Sequence, residues 1–485
     1  MEKSTLIEIL KTFSKDELAS FSDFVSSPYH NKKSNVIKLN NILRKHAPGF
    51  AADKITKEAA WKLIFPGKIY NYGIMKNLIH DLTKLCENYL ADITSKKNLY
   101  YDKNLIEELR RRNLISLHKK MLDKLNSKID KLPKDENFYT DKIMIMQEHL
   151  YINIDKKLAD NMKIESMNYN LKLFLLRRFV GVLNLFIEAQ NTGVTYTDNN
   201  ISLFLDFFNK NRENFENEEV LQIYYNLLSA TLYPDDERYY VTAKNFFYKI
   251  FHTLDYSEKR NIYNMLMTIC IQNMELNNGK DIDFPSEMSK LQREMIKFSL
   301  FSEEGTDQID IQIYRNIIIW SLNIKDKELM NEFIQKYMNK VVTTAAQTIE
   351  FYSKAHICFV NNDFNKCLEY CSKTVFTGLF ESTREAIYFK RDIKSLEIRC
   401  LYELDLTESL INAVDSYKRF ITSSDMMKDT TKENIINSIK LTKELILLKT
   451  NSDFLEIKSF KKRLLTYDKI PFKNWLLEKI EELEK

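Results

Sequence analysis

Apolar residues recur along this chain at intervals of three and four, the spacing that gathers them on one face of an α-helix, with polar residues between them. The pattern predicts short helices over 5–13, 15–25 and 35–46. A fourth runs from a Thr56 cap through Ile64, and a longer fifth covers 72–90, striped by Ile74, Leu78, Leu82, Leu85 and Tyr89. Ser14 followed by Glu17 reads as a capping box, in which each side chain accepts a backbone N–H that the first turn leaves unpaired. Pro28 ends the second helix, because its ring removes a donor and disfavours helix in the residue before it. Beyond these the predicted helices lengthen to 104–132, 141–157 and 166–189, with Pro133, Gly193 and asparagine clusters in the loops.

From about residue 218 the spacing becomes regular. Five consecutive helix pairs are predicted: 218–233 with 239–251, 257–274 with 285–298, 310–322 with 327–338, 349–360 with 364–375, and 383–404 with 407–421. A helix over 431–448 and a tail holding Trp475 follow. The period of about 40 residues lies in the range of helical repeats. A helix pair cannot bury its apolar face alone, whereas pairs stacked in series share a continuous core. The expected fold class is all-α: antiparallel helix pairs stacked as a right-handed α-solenoid, with a small helical domain at the N-terminal end. The expected division is an N-terminal helical domain over 1–95, a long-helix connecting region over 96–215, repeats over 216–450 and a C-terminal helical cap over 451–485.

Composition supports the helical reading. Eight Gly and seven Pro in 485 residues leave few positions for tight hairpins or phosphate-cradling loops. Charge is uneven: residues 1–135 hold 26 Lys and Arg against 16 Asp and Glu, a net +10, within a chain total of +4. A basic end of this kind suits a nucleic-acid or acidic partner, or a lysine-rich solvated surface. No apolar run approaches the ~20 residues a bilayer span requires, so no membrane association is expected. The first residues lack the basic, apolar and small-residue succession of an export signal, and six cysteines without CxxC spacing suit a reducing compartment. The expected localisation is cytoplasmic.

The segment over 351–374 resembles a tetratricopeptide (TPR) repeat. Ala355 is the small residue late in the first helix, Asn361, Asn362 and Asp363 form the polar turn, Phe364 opens the second helix, and Cys367 is the small residue three positions on. Cys358, Thr374 and the absent closing proline depart from the family pattern. The resemblance implies a TPR-like right-handed superhelix and makes Ala355, Phe364 and Cys367 repeat-defining. The chain as a whole is also similar to a group of bacterial all-helical proteins that share a Ser-Pro-Tyr-His-Asn segment, here Ser27 to Asn31. That similarity implies a fold and brings no activity with it.

Candidate chemistry is sparse. Cys367 and Cys371 share a helical face, and His356 and Cys358 lie on the facing helix, which invites a metal reading. His356 and Cys358 point about 200° apart on a helix, however, and buried free cysteines serve as small apolar fillers. The expectation is no metal and no cofactor. Phosphate-loop, dinucleotide, metalloprotease and nucleophile-elbow motifs are absent, and Glu148–His149 and His80–Asp81 lack the spacing of a catalytic pair. No catalytic residue is assigned. Residues 56–90 offer an alternative: a short helix, a turn containing Gly67 and a longer helix resemble a helix-turn-helix, in which Lys76, Asn77, His80 and Lys84 would face DNA. The expected function is a non-enzymatic scaffold binding a partner protein or peptide on the repeat surface. A DNA-binding regulator and an enzyme with its site assembled between repeats are the alternatives.

Overall fold

Few glycines and prolines interrupt the apolar periodicity, and among the described residues the chain folds into twenty-three α-helices, short 3-10 turns and two isolated β-bridges at Ile309. The architecture is that of a computed structural model, which describes residues 4–50, 56–97, 99–152, 156–192, 200–276, 279–302, 304–343, 345–376, 383–424, 427, 429–451, 454–467 and 470–484. The loop position Gly193 lies outside them. Two compact units divide the chain: Met1–Lys131 with Ile145–Met162, and Leu132–Met144 with Lys163–Lys485. No helix among the described residues is long and apolar enough to cross a membrane.

The first unit contains α1 (Thr5–Lys11), α2 (Lys15–Ser26), α3 (Ser34–Arg44), α4 (Lys57–Ile64), α5 (Tyr72–Lys97), α6 (Tyr100–Arg111) and α7 (Ile115–Ile129). The Ser14–Glu17 capping box forms in full, and the Thr56 hydroxyl accepts from the Ala59 N–H. Helix α5 packs against α1, α2 and α3, and its Tyr89 meets the rings of Phe13 and Phe21 at 5.6 and 5.4 Å. Within the Ser27 to Asn31 segment, Asn31 donates to the Val25 carbonyl at 2.9 Å and accepts from the Lys33 N–H at 2.9 Å, tying the end of α2 to the start of α3.

Two expectations change here. The α5 stripe begins at buried Met75, while Ile74 is 47% exposed in the first turn, at the edge of the stripe and about 60° from its centre. The single helix expected over 104–132 is a hairpin of α6 and α7. Asn113 adopts a left-handed φ of 58°, and the Leu114 N–H closes onto the Leu109 carbonyl at 3.0 Å. Asparagine tolerates this conformation, and both helices keep their own stripes, so periodicity alone runs through the break.

Helices α8 (Glu136–Ile152) and α9 (Lys156–Thr192) follow. The sequence reading missed α10 (Ile201–Lys210). The second unit continues with α11 (Glu219–Leu232), α12 (Glu237–Ile250), α13 (Tyr256–Glu275), α14 (Phe284–Lys297), α15 (Ile311–Asn323), α16 (Lys327–Tyr337), α17 (Ala346–Val360), α18 (Phe364–Lys373), α19 (Arg384–Glu403), α20 (Thr407–Thr422), α21 (Asp429–Asn451), α22 (Phe454–Leu465) and α23 (Lys473–Leu483). The members of each pair α11/α12, α13/α14, α15/α16, α17/α18 and α19/α20 pack together, and α15, α17 and α19 also touch one another.

Three of these hairpins turn in the same way. Lys325, Asn362 and Asp405 take φ of 59°, 60° and 58°. The next residue's N–H then bonds back to the carbonyl of Ser321, Cys358 or Leu401, at 2.9 to 3.0 Å. This double closure satisfies carbonyls that a helix C-terminus leaves unpaired, and it usually employs glycine. A non-glycine residue can hold the position because the flanking helices are locked together by packing.

Candidate functional site

The side chains of α15, α17 and α19 meet around a charged pair. Arg315, on α15, sends Nε to Asp392 Oδ2 at 2.6 Å and Nη2 to Asp392 Oδ1 at 2.8 Å, and both side chains are buried. Tyr352, on α17, donates its hydroxyl to Asp392 Oδ2 at 3.0 Å. Burial works against the Asp392 anion, but the guanidinium of Arg315 and the nearby Arg391 hold its carboxyl below the ordinary range. One turn beyond Tyr352, His356 donates from Nδ1 to the Tyr352 carbonyl at 2.8 Å, and its Nε2 has no partner. Burial lowers its pKa to about 4, so the ring is neutral.

Arg399 lies two turns further along α19 from Asp392. It is only 8% exposed, and its Nε donates to the Ser395 carbonyl at 3.2 Å. The Phe359 ring centre is 4.5 Å from the guanidinium carbon and that of Phe472 is 5.7 Å away. No carboxylate forms an ion pair with Arg399 among the described residues, and burial draws its pKa below the ordinary range. Among the described residues the Nε bond to Ser395 is its one side-chain hydrogen bond, and Arg399 lines a cleft.

That cleft has a volume of about 1440 Å³. Its lining includes the aromatics Trp320, Phe359 and Phe364, the cations Arg391 and Arg399, and Phe472 and Trp475 from α23 and the turn before it. Phe472 takes a left-handed φ of 48° at the head of α23, and Trp475 donates from Nε1 to Glu403 Oε1 at 2.8 Å. Six cations line the cleft, Lys325, Lys327, Arg391, Arg399, Lys473 and Lys479, against three carboxylates. Those carboxylates are already matched, Glu478 to Lys325 at 2.8 Å and Glu403 and Glu482 to Lys479 at 3.0 and 2.9 Å. The excess charge of the cleft is positive.

The residues singled out by sequence are distributed differently. Ala355 and Cys367 are fully buried where α17 and α18 meet, as small residues at a close approach should be. Phe364 is half-buried, stands 5.8 Å from Phe359 and lines the cleft. Cys367 lies against Cys371 and, across to α19, Cys400, with those two thiols donating toward it. This donation holds the Cys367 thiol low while it and burial push the other two up. Cys358 is partly exposed, whereas the trio is buried. Among the described residues no group of three or more His, Cys, Asp or Glu side chains is arranged to hold a metal ion. Lys76, Asn77, His80 and Lys84 lie exposed on α5 in the first unit, with Lys84 paired to Glu87 at 2.7 Å.

Comparison with known proteins finds no matching family model, curated protein or solved structure. Arg315, Asp392, Arg399 and Cys400 were not picked out from sequence. They are single polar residues within helical stripes, and only the meeting of three helices makes them a cluster.

Proposed function

We propose that this chain is a non-enzymatic binding protein, a cytoplasmic scaffold or adaptor that holds a segment of a partner protein or peptide in the cleft of the second unit. The reading treats the consecutive hairpins as a TPR-like right-handed α-solenoid in which the first helices of successive pairs present the contact surface. The observation that carries it is the cleft itself, with an aromatic and cationic lining and its carboxylates already engaged. Aromatic side chains and arginine dominate contact energies where proteins meet, because they bury large areas with little loss of side-chain freedom. No bond is made or broken in this account.

Site-specific photocross-linking tests the proposal. A cross-linker is placed at Asn362, exposed on the cleft, and as a control at Lys119, exposed in the first unit. The expected result is stoichiometric capture of one partner from position 362 and none from 119, abolished by Phe359→Asp. Equal capture from both positions, or none from 362, argues against the cleft. Duplex DNA binding that falls steeply with salt and is weakened by Lys76→Ala with Lys84→Ala favours a regulator instead.

A further inference from the structure

We propose that Arg399 is the receptor for a carboxylate of the bound segment, so that the cleft selects acidic peptides. This rests on reading the cleft as a peptide site. Arg399 is more than nine-tenths buried, lies 4.5 and 5.7 Å from the Phe359 and Phe472 ring centres, and lines the cleft. The two rings and the Nε bond to Ser395 restrict where the guanidinium can lie. What remains is the planar fork that matches the two oxygens of a carboxylate.

A buried guanidinium with no ion-paired carboxylate is unfavourable in the free protein, since it has lost water and the nearby Cys400, Cys367 and Asp392 offset that loss only in part. The same helix shows the alternative two turns earlier, where Asp392 engages Arg315 through two bonds. For Arg399 no such partner is found among the described residues. A ligand carboxylate therefore recovers an interaction the fold leaves open, and that gain is absent for a neutral peptide.

The charge of the ligand group follows from the neighbours. Arg391 is turned toward Asp392, 3.3 Å from Oδ1, and its guanidinium lies 5.3 Å from the Tyr388 ring centre. Lys479 is held by Glu403 and Glu482. Lys327 and Lys473 also line the cleft but are more exposed, so the buried cation there with no ion-paired carboxylate among the described residues is Arg399 alone, which matches a monoanion, a carboxylate, better than a dianionic phosphate. Trp320, Phe364 and Trp475 also line the cleft and offer apolar seats for residues flanking the acid.

The test pans the full-length protein against random dodecapeptides displayed with a free or an amidated C-terminus. Affinities of the selected peptides are then measured by the fluorescence of Trp320 and Trp475. Selected peptides are expected to share an Asp, a Glu or a terminal carboxylate, and neutralising it by Asn, Gln or amide should lower affinity for the wild-type protein about tenfold or more. In Arg399→Met the same neutralisation should change affinity less than about twofold, with Arg399→Lys in between. If only amidated ligands fail, the carboxylate is the chain terminus; if side-chain neutralisation matters, it is Asp or Glu, and both agree with the proposal. Peptides that are displaced by Phe359→Asp yet lack an acid, or whose loss on neutralisation persists in Arg399→Met, overturn the carboxylate assignment and leave the cleft reading standing. Failure to enrich any peptide, or binding indifferent to Phe359→Asp, overturns the cleft reading itself. The wild-type peptide comparison needs no protein variant, so misfolding of a variant cannot decide the outcome.

Discussion

Replacing Asp392 by Asn removes the anion that balances Arg315 while keeping shape and a hydrogen-bond acceptor. Both side chains are buried, at 7% and 5% side-chain exposure, and joined by two bonds of 2.6 and 2.8 Å. The pair's own net worth is small, because two desolvation costs offset the attraction, but breaking it strands a guanidinium in a low-dielectric interior. That costs about 3–5 kcal/mol. Tyr352→Phe removes only the hydroxyl that donates to Asp392 and is expected to cost about 1–2 kcal/mol. Arg315→Met with Asp392→Leu removes both charges and should be less destabilised than Asp392→Asn alone. Urea unfolding followed by Trp320 and Trp475 fluorescence, in a Trp61→Phe background so that the first unit is silent, reads these differences directly. Because the Asp392 carboxyl is held below its unfolded value, its contribution is present above that value, about 3.9, and is lost as pH falls through the lower folded one. An Asp392→Asn loss under about 1 kcal/mol, or a double variant weaker than the single, would refute this account.

Glu258 behaves in the opposite sense. Burial, with Asp135 and Asp255 nearby, raises its carboxyl to about 7, so the folded state binds this proton more tightly than the unfolded chain. Its contribution is present below the ordinary value of 4.5 and lost as pH rises through 7; Glu258→Gln should therefore raise the melting temperature at pH 8 more than at pH 5, the difference corresponding to at most about 3 kcal/mol. Lys325→Gly should stabilise the α15/α16 turn by about 0.5–1 kcal/mol in the same urea titration, since glycine carries no side-chain penalty at φ 59° and the Glu478 ion pair it removes is exposed. Cys367, Cys371 and Cys400 are buried, and a thiol reagent should modify them only at the rate of unfolding, whereas partly exposed Cys358 reacts in the native protein.

The helical order was legible because it is a local property. The Ser14 capping box, the Thr56 cap and the five pairs beyond residue 218 follow from periodicity, caps and turns within a few residues of one another. The break at Asn113 escaped because a left-handed asparagine leaves the stripes on either side intact. At the cleft, Phe364 was visible as an aromatic at a repeat position but not as a wall residue, and Arg399 looked like any cation on an amphipathic helix.

Sequence by itself determined the all-helical state and nearly every helix, because hydrogen bonds within a helix and the apolar face it must bury depend on neighbours three and four positions away. Only the tertiary structure decided that Arg315 and Asp392, 77 residues apart, neutralise each other while no carboxylate among the described residues pairs with Arg399. Charge pairing in an interior is set by which faces meet when helices pack, and a pattern that repeats every few residues holds no record of that meeting.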